Sequence, residues 1–220
     1  MNKKRYGHCS VYLNNSVYVV GGYNHKDEEK IQPVTLKHCE KYNFETKKWE
    51  YIANLNQARA YFGIAVHNKE SIFVFGGFFD KNFLNSIEKY DIHSDSWITF
   101  YLKLPLNLSK VAAVDINDKI IILGGINDTY NMSHEVWMLD FKESQWVKLD
   151  DMISARCLNQ SAILYKDNIY VIGGTRESNC EKYSLKDRKW ELFESYTSVV
   201  KGKSKFELYN YSFAINILND

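Results

Sequence analysis

The sequence predicts an all-β protein made of four copies of one four-stranded antiparallel unit, followed by one extra strand. Three observations carry this. Trp49, Trp97 and Trp146 each stand 27 residues before the first member of a glycine pair, Gly76 Gly77, Gly124 Gly125 and Gly173 Gly174, and a further pair stands at Gly21 Gly22. Seven residues before Trp49, Trp97, Trp146 and Trp190 come Tyr42, Tyr90, Leu139 and Tyr183, and the three tyrosines all close the tripeptide Glu-Lys-Tyr. Between these marks the apolar runs are four to seven residues long, rich in Val, Ile and Tyr, bounded by Asn, Gly or Lys, and without helical period. That is the pattern of short strands in a repeat of about 49 residues.

Lettering the strands of each copy A to D, the first copy reads YGHCSVY, SVYVV up to Gly21, CEKYNF and WEYI, with a long polar connection from Tyr23 to Lys37 between B and C. The second reads YFGIAVH, IFVF, SIEKYDI and WITFY; the third KVAAVDI, IIIL, EVWMLDF and WVKL. Leu139 replaces tyrosine in the third copy, so a bulky apolar group suffices there. The fourth reads QSAILY, IYVI, CEKYSL and WELF. The copies span residues 4–54, 58–103, 107–151 and 155–194 of a single domain, 1–220, and a lysine-bearing loop with a lone strand-like run, YSFAINI, forms a partial fifth over 195–220. Pro33 and Pro105 fall between strands, where a missing N–H costs no ladder bond.

Composition narrows the function classes. With 28 basic and 27 acidic residues the net charge is +1, so no global field favours nucleic acid or an anionic membrane. His8, Ser10, Asn14 and Asn15 break up the opening, which excludes a signal peptide, and no apolar run nears the ~18 residues of a membrane span. A cytoplasmic location is expected. Cys9, Cys39, Cys157 and Cys180 lack metal spacing and read as buried free thiols, and the six histidines are scattered over the repeat. No metal, cofactor or catalytic residue is nominated.

A period near 50 with four strands and a double glycine resembles the kelch repeat, through Gly21, Gly22, Gly76, Gly77, Gly124, Gly125, Gly173 and Gly174, with Tyr42, Tyr90, Tyr183, Trp49, Trp97, Trp146 and Trp190. The resemblance implies a β-propeller, each copy a blade that buries its faces on its neighbours, with about 1.5–3 kcal/mol for each large side chain buried. It also implies a non-enzymatic module that presents the B–C and D–A loops to a protein partner, as a substrate-recognition unit for a ubiquitin ligase or as a scaffold. The alternative is a carbohydrate-active propeller enzyme, of the sialic-acid isomerase or galactose oxidase type. The family's rings usually close with five to eight blades. Four blades and a strand therefore point to an incomplete or open ring, either a fragment of a longer propeller or one that self-associates through its open edges.

Two groups are candidate partner contacts. Phe78, Phe79 and Phe83 crowd the second B–C loop, and Tyr130 lies in the third; aromatic anchors on loops are hard to bury locally and dominate interfaces. Arg59 and Arg156 each stand 17 residues before their glycine pair, Arg5 is one residue off that register, and Arg176 follows Gly174. One reading makes them a guanidinium ring at the channel mouth, suited to an acidic segment of the partner. The other makes an arginine before strand A a feature of the repeat that pairs inside the blade.

Overall fold

The computed structural model of the protein describes residues 1–24, 33–157, 162–174 and 179–195, with side chains to residue 192. Arg176 and the partial fifth copy beyond residue 195 lie outside the described residues. Blade 1 comprises Cys9–Leu13, Ser16–Val20, Cys39–Asn43 and Lys48–Ile52. Blade 2 comprises Gly63–His67, Ser71–Phe75, Ile87–Asp91 and Ser96–Thr99. Ala112–Asp115, Lys119–Leu123, Val136–Asp140 and Gln145–Lys148 make blade 3; Ala162–Tyr165, Asn168–Ile172, Asn179–Ser184 and Lys189–Ser195 make blade 4. Every blade is an antiparallel A-B-C-D meander, and the A strands of successive blades adjoin around the axis, which gives the arc of a β-propeller.

The turns follow from the sequence. Asn14 and Asn15 (φ 47° and 55°) close the first A–B hairpin, and Asn68 with Lys69 (φ 52° and 56°) the second, the two left-handed residues that a tight hairpin requires. Between C and D, Asn43, Asp91 and Asp140 each accept two backbone N–H bonds from residues two and three positions on. These bonds hold the carboxyls of Asp91 and Asp140 below the usual carboxylate range.

That turn explains the spacing of seven. It places Tyr42 opposite Trp49, Tyr90 opposite Trp97, Leu139 opposite Trp146 and Tyr183 opposite Trp190 across the C–D ladder. Where both rings are aromatic, the centroids lie 5.0–5.3 Å apart. The pair then packs on the preceding blade. Tyr90 and Trp97 close a cluster with Tyr18, Val20, Ile52 and Leu55 of blade 1; Leu139 closes one with Phe73 and Phe75 of blade 2; Tyr183 and Trp190 close one with Ile121 and Leu123 of blade 3.

The indole N–H groups lock the same contacts. Trp97 donates to the carbonyl of Ala53 (3.0 Å), Trp146 to Lys103 (2.7 Å) and Trp190 to Asp150 (2.9 Å), in each case on the blade before. Trp97→Phe should therefore lower stability by about 1–2 kcal/mol, seen as a lower urea midpoint with an unchanged slope. The glycine pair completes the joint: Gly22 N donates to Arg59 O (2.9 Å), Gly77 N to Leu108 O (2.8 Å) and Gly125 N to Arg156 O (2.7 Å). Each pair thus reaches the chain that enters the next blade, which fixes the distance from tryptophan to glycine.

The B–C connections, expected as loops, carry ladders of two residues a side, joining Tyr23–Asn24 to Val34–Thr35 and Phe78–Phe79 to Asn82–Phe83. Asp80 and Lys81 (φ 44° and 66°) supply the left-handed turn of the second. The four cysteines are free thiols, and burial pushes Cys39 up to about 12. Among the described residues no helix is long and apolar enough to cross a membrane.

Candidate interaction surface

Two of the arginines expected at a ligand are inside the blades, and this corrects their assignment to partner binding. Arg59 and Arg156 are fully buried. The Arg59 guanidinium donates to Gly76 O (2.7 Å), Ser86 O (3.0 Å) and the Glu88 carboxylate (2.7 Å), while Arg156 donates to Gly173 O (2.6 Å), Asn179 O (3.1 Å) and Glu181 (2.7 Å). Arg5 makes the same set with Gly21 O, His38 O and Glu40, despite its one-residue offset. Burial pulls the Arg59 guanidinium below its ordinary value, and the Glu88 charge opposes that.

The three glutamates are the first letter of the Glu-Lys-Tyr tripeptide, and they do a second job. Glu88 accepts from the N–H groups of Asn56 and Gln57, Glu181 from Ile153 and Ser154, and Glu40 from Asn2 and Lys3. Each ion pair therefore ties the segment leading into its blade to strands B and C. Blade 3 has neither partner. Leu108, whose N–H and C=O make the bonds of Arg59, takes the arginine position, and Trp137 the glutamate position. Both sit in one apolar cluster.

What the arginines leave at the loop end of the arc is aromatic. Phe78, Phe79 and Phe83 are half-buried on the second B–C hairpin, and Tyr130 of the third stands 70% exposed. Phe83 links them, edge-on to Phe78 at 5.1 Å and to Tyr130 at 5.2 Å, so rings from two blades form one surface. Phe78 is held by backbone bonds with Ala60 in both directions (2.8 and 3.1 Å), which fixes the hairpin to its own blade.

A second row, absent from the sequence reading, runs beside it. Tyr6 and Tyr23 lie 5.5 Å apart, Tyr23 and Tyr61 5.7 Å, and the Lys110 ammonium stands 5.2 Å over the Tyr61 ring. Gly7, Tyr61 and Lys110 occupy equivalent left-handed positions (φ 60°, 53° and 54°), with Tyr61 N bonded to Gly7 O and Lys110 N to Tyr61 O. Non-glycine residues held at positive φ are costly and cluster at functional positions. Burial pushes the Tyr23 and Tyr61 phenols up, so both remain neutral hydrogen-bond donors.

Between the first and second B–C hairpins lies a groove of about 420 Å³, lined by Tyr23, Pro33, Val34, Thr35 and Phe79 together with the charged Asp80 and Lys81. Apolar walls with a few charged groups suit an extended segment carrying one apolar anchor. Tyr23 takes the same place after its glycine pair as Phe78 after its own, and that shared position is the signal that could have singled it out.

A family model described as the KLHDC2/KLHL20/DRC7 kelch-repeats domain matches residues 7–215. The chain is 29% identical over 201 residues to Kelch-like protein 25 of Xenopus tropicalis, covering 89% of this chain and 33% of that protein. It is 33% identical over 151 residues to Kelch-like protein 40 of Xenopus laevis (65% of this chain, 23% of that one), and 28% identical to alpha-scruin of Limulus polyphemus (81% and 20%). The chain thus spans a third or less of the length of these curated relatives. Its fold is similar to the solved structure of YjhT, with a TM-score of 0.72 at 15% identity, over 88% of this chain and 66% of the other. With the family model covering nearly all four blades, the chain belongs to the kelch-repeat family.

Proposed function

We propose that the chain is a non-enzymatic interaction module, acting in the cytoplasm, that grips a protein partner with the aromatic end of the arc. The single observation that carries this reading is the continuous surface from Phe78 through Phe83 to Tyr130, with the Tyr6–Tyr23–Tyr61 row and the groove lined by Phe79 beside it. Phe78, Phe79 and Phe83 are half-buried on a hairpin bonded to its own blade, so little of their side-chain entropy is lost on binding. The partner is read as an extended segment whose apolar anchor enters the groove beside Phe79. The acidic character first expected of it now rests on Lys81 and Lys110, with Arg176, since Arg59 and Arg156 are enclosed. Enclosed in their blades, Arg59 and Arg156 are equally closed to the acidic sugar that a sialic-acid isomerase would bind. A substrate-recognition or scaffold role fits this surface equally.

A displayed random-peptide library tests the site. Peptides selected on the unaltered chain should bind the Phe79→Ser, Phe83→Ser double variant at least tenfold more weakly by titration calorimetry. Equal affinity for the two proteins would move the site elsewhere.

A further inference from the structure

The Tyr6–Tyr23–Tyr61 row presents its side chains and closes its backbone. Tyr6 N donates to Tyr23 O (3.0 Å) and Tyr23 N to Tyr6 O (2.7 Å), while Tyr61 N donates to Gly7 O (2.8 Å) and Lys110 N to Tyr61 O (2.5 Å). A partner strand added to a sheet edge needs a line of unpaired N–H and C=O groups, and along this row both kinds are bonded within the protein. Recognition here therefore falls to ring faces and to side-chain donors.

The rings are held from beneath. Tyr61 lies so close to Gly7 that a Cβ there would meet its ring at 2.9 Å. Tyr6 is 39% exposed, and Tyr23 and Tyr61 are half-buried. Successive rings are tilted by 31° and 57°, so the surface they make is ridged rather than flat. Its polar groups are mostly donors. The Tyr23 phenol bonds the Thr35 hydroxyl, burial keeps Tyr23 and Tyr61 protonated, and Lys110 adds an ammonium over the Tyr61 ring. Tyr23 also lines the groove with Val34, Thr35 and Phe79, so row and groove are one continuous site, in which Asp80 supplies the carboxylate.

We propose that this site takes a proline-rich segment of the partner in the polyproline II conformation, an assignment that rests on the interaction-module function above. Such a segment brings acceptors to a surface of donors, because its carbonyls point outward and each proline lacks an N–H that would need a partner. Its pyrrolidine rings fit between tilted aromatic faces, the mode by which aromatic-lined grooves take proline-rich ligands. The segment is extended before it binds and has no internal hydrogen bonds to break, so docking costs little order. One turn of three residues rises about 9 Å, which suits the two ring-to-ring steps of 5.5 and 5.7 Å. One proline enters the groove as the apolar anchor beside Phe79, and the adjoining turn lies along the tyrosines.

Peptides selected from a displayed random library on the unaltered chain should be enriched in prolines three residues apart, which share one side of this helix. Replacing both prolines of a selected peptide with alanine should weaken its binding at least tenfold by titration calorimetry. Tyr6→Ala, which removes a ring, should weaken the unchanged peptide at least tenfold. Tyr61→Phe, which keeps the ring and removes one donor, should weaken it at least threefold with the melting temperature unchanged. Selected peptides that lack proline yet lose affinity for the Phe79→Ser, Phe83→Ser variant overturn the proline assignment and leave the interaction module standing. Proline-bearing peptides that bind Tyr6→Ala and Tyr61→Phe as tightly as the unaltered chain overturn it as well. A library that yields no binding peptide overturns both.

Discussion

Replacing Arg59 with alanine is expected to lower the free energy of unfolding by about 3–5 kcal/mol, because it leaves the Glu88 carboxylate charged and enclosed. Arg59 and Glu88 are both at most 1% exposed, so solvent screens neither. Against a typical domain stability of about 5–15 kcal/mol, that is a large fraction. Blade 3 shows how the pair can be dispensed with. It carries Leu108 and Trp137 in the two positions, and Pro105 follows Leu104 where Asn56 follows Leu55 in blade 2. Asn56 N is one of the two donors that Glu88 satisfies, and proline has no N–H to satisfy. Both charges and one of the stranded donors have gone together. Arg59→Leu with Glu88→Trp should therefore recover part of the loss, and adding Asn56→Pro should bring stability to within about 2 kcal/mol of the unaltered protein. Urea unfolding of the four proteins measures each step. A loss below about 1 kcal/mol for Arg59→Ala would mean that the pair does not hold the blade.

The same pair shows why the fold was legible in the sequence and part of its chemistry was not. Tyr90 and Trp97 are joined by one tight turn, so their separation is constant and can be counted. The path from Trp49 to Gly76 runs through the joint between two blades, and a rigid joint permits one length. Arginine and glutamate, however, lie on either side of the B–C connection, and their separation is 35 residues in blade 1, 29 in blade 2 and 25 in blade 4. No fixed spacing links them, so the sequence offers pairing inside the blade as one of two readings of the arginines and does not name the glutamate as the partner. Phe78, Phe79 and Phe83 stood out because three rings share one short hairpin. The Tyr6–Tyr23–Tyr61 row did not, because its members come from two blades and three separate segments, and only the closure of the sheet brings them within 6 Å of one another.

Gly76→Ala should cost about 2–5 kcal/mol. The residue sits at φ 62°, where an L side chain adds about 1–2 kcal/mol of backbone strain, and its new Cβ would lie 2.3 Å from the Leu108 carbonyl, so blade 3 must shift by several tenths of an ångström. That carbonyl also accepts from Gly77 N, so the shift strains the hydrogen bond between blades as well. Gly173→Ala isolates the first of these costs. Its φ of 72° carries similar strain, but among the described residues nothing lies within 4 Å of the added carbon, and the expected loss is about 1–2 kcal/mol. Thermal unfolding of the two variants should therefore separate them by several degrees. Equal losses would show that the glycine pair answers to backbone conformation alone and not to the approach of the next blade.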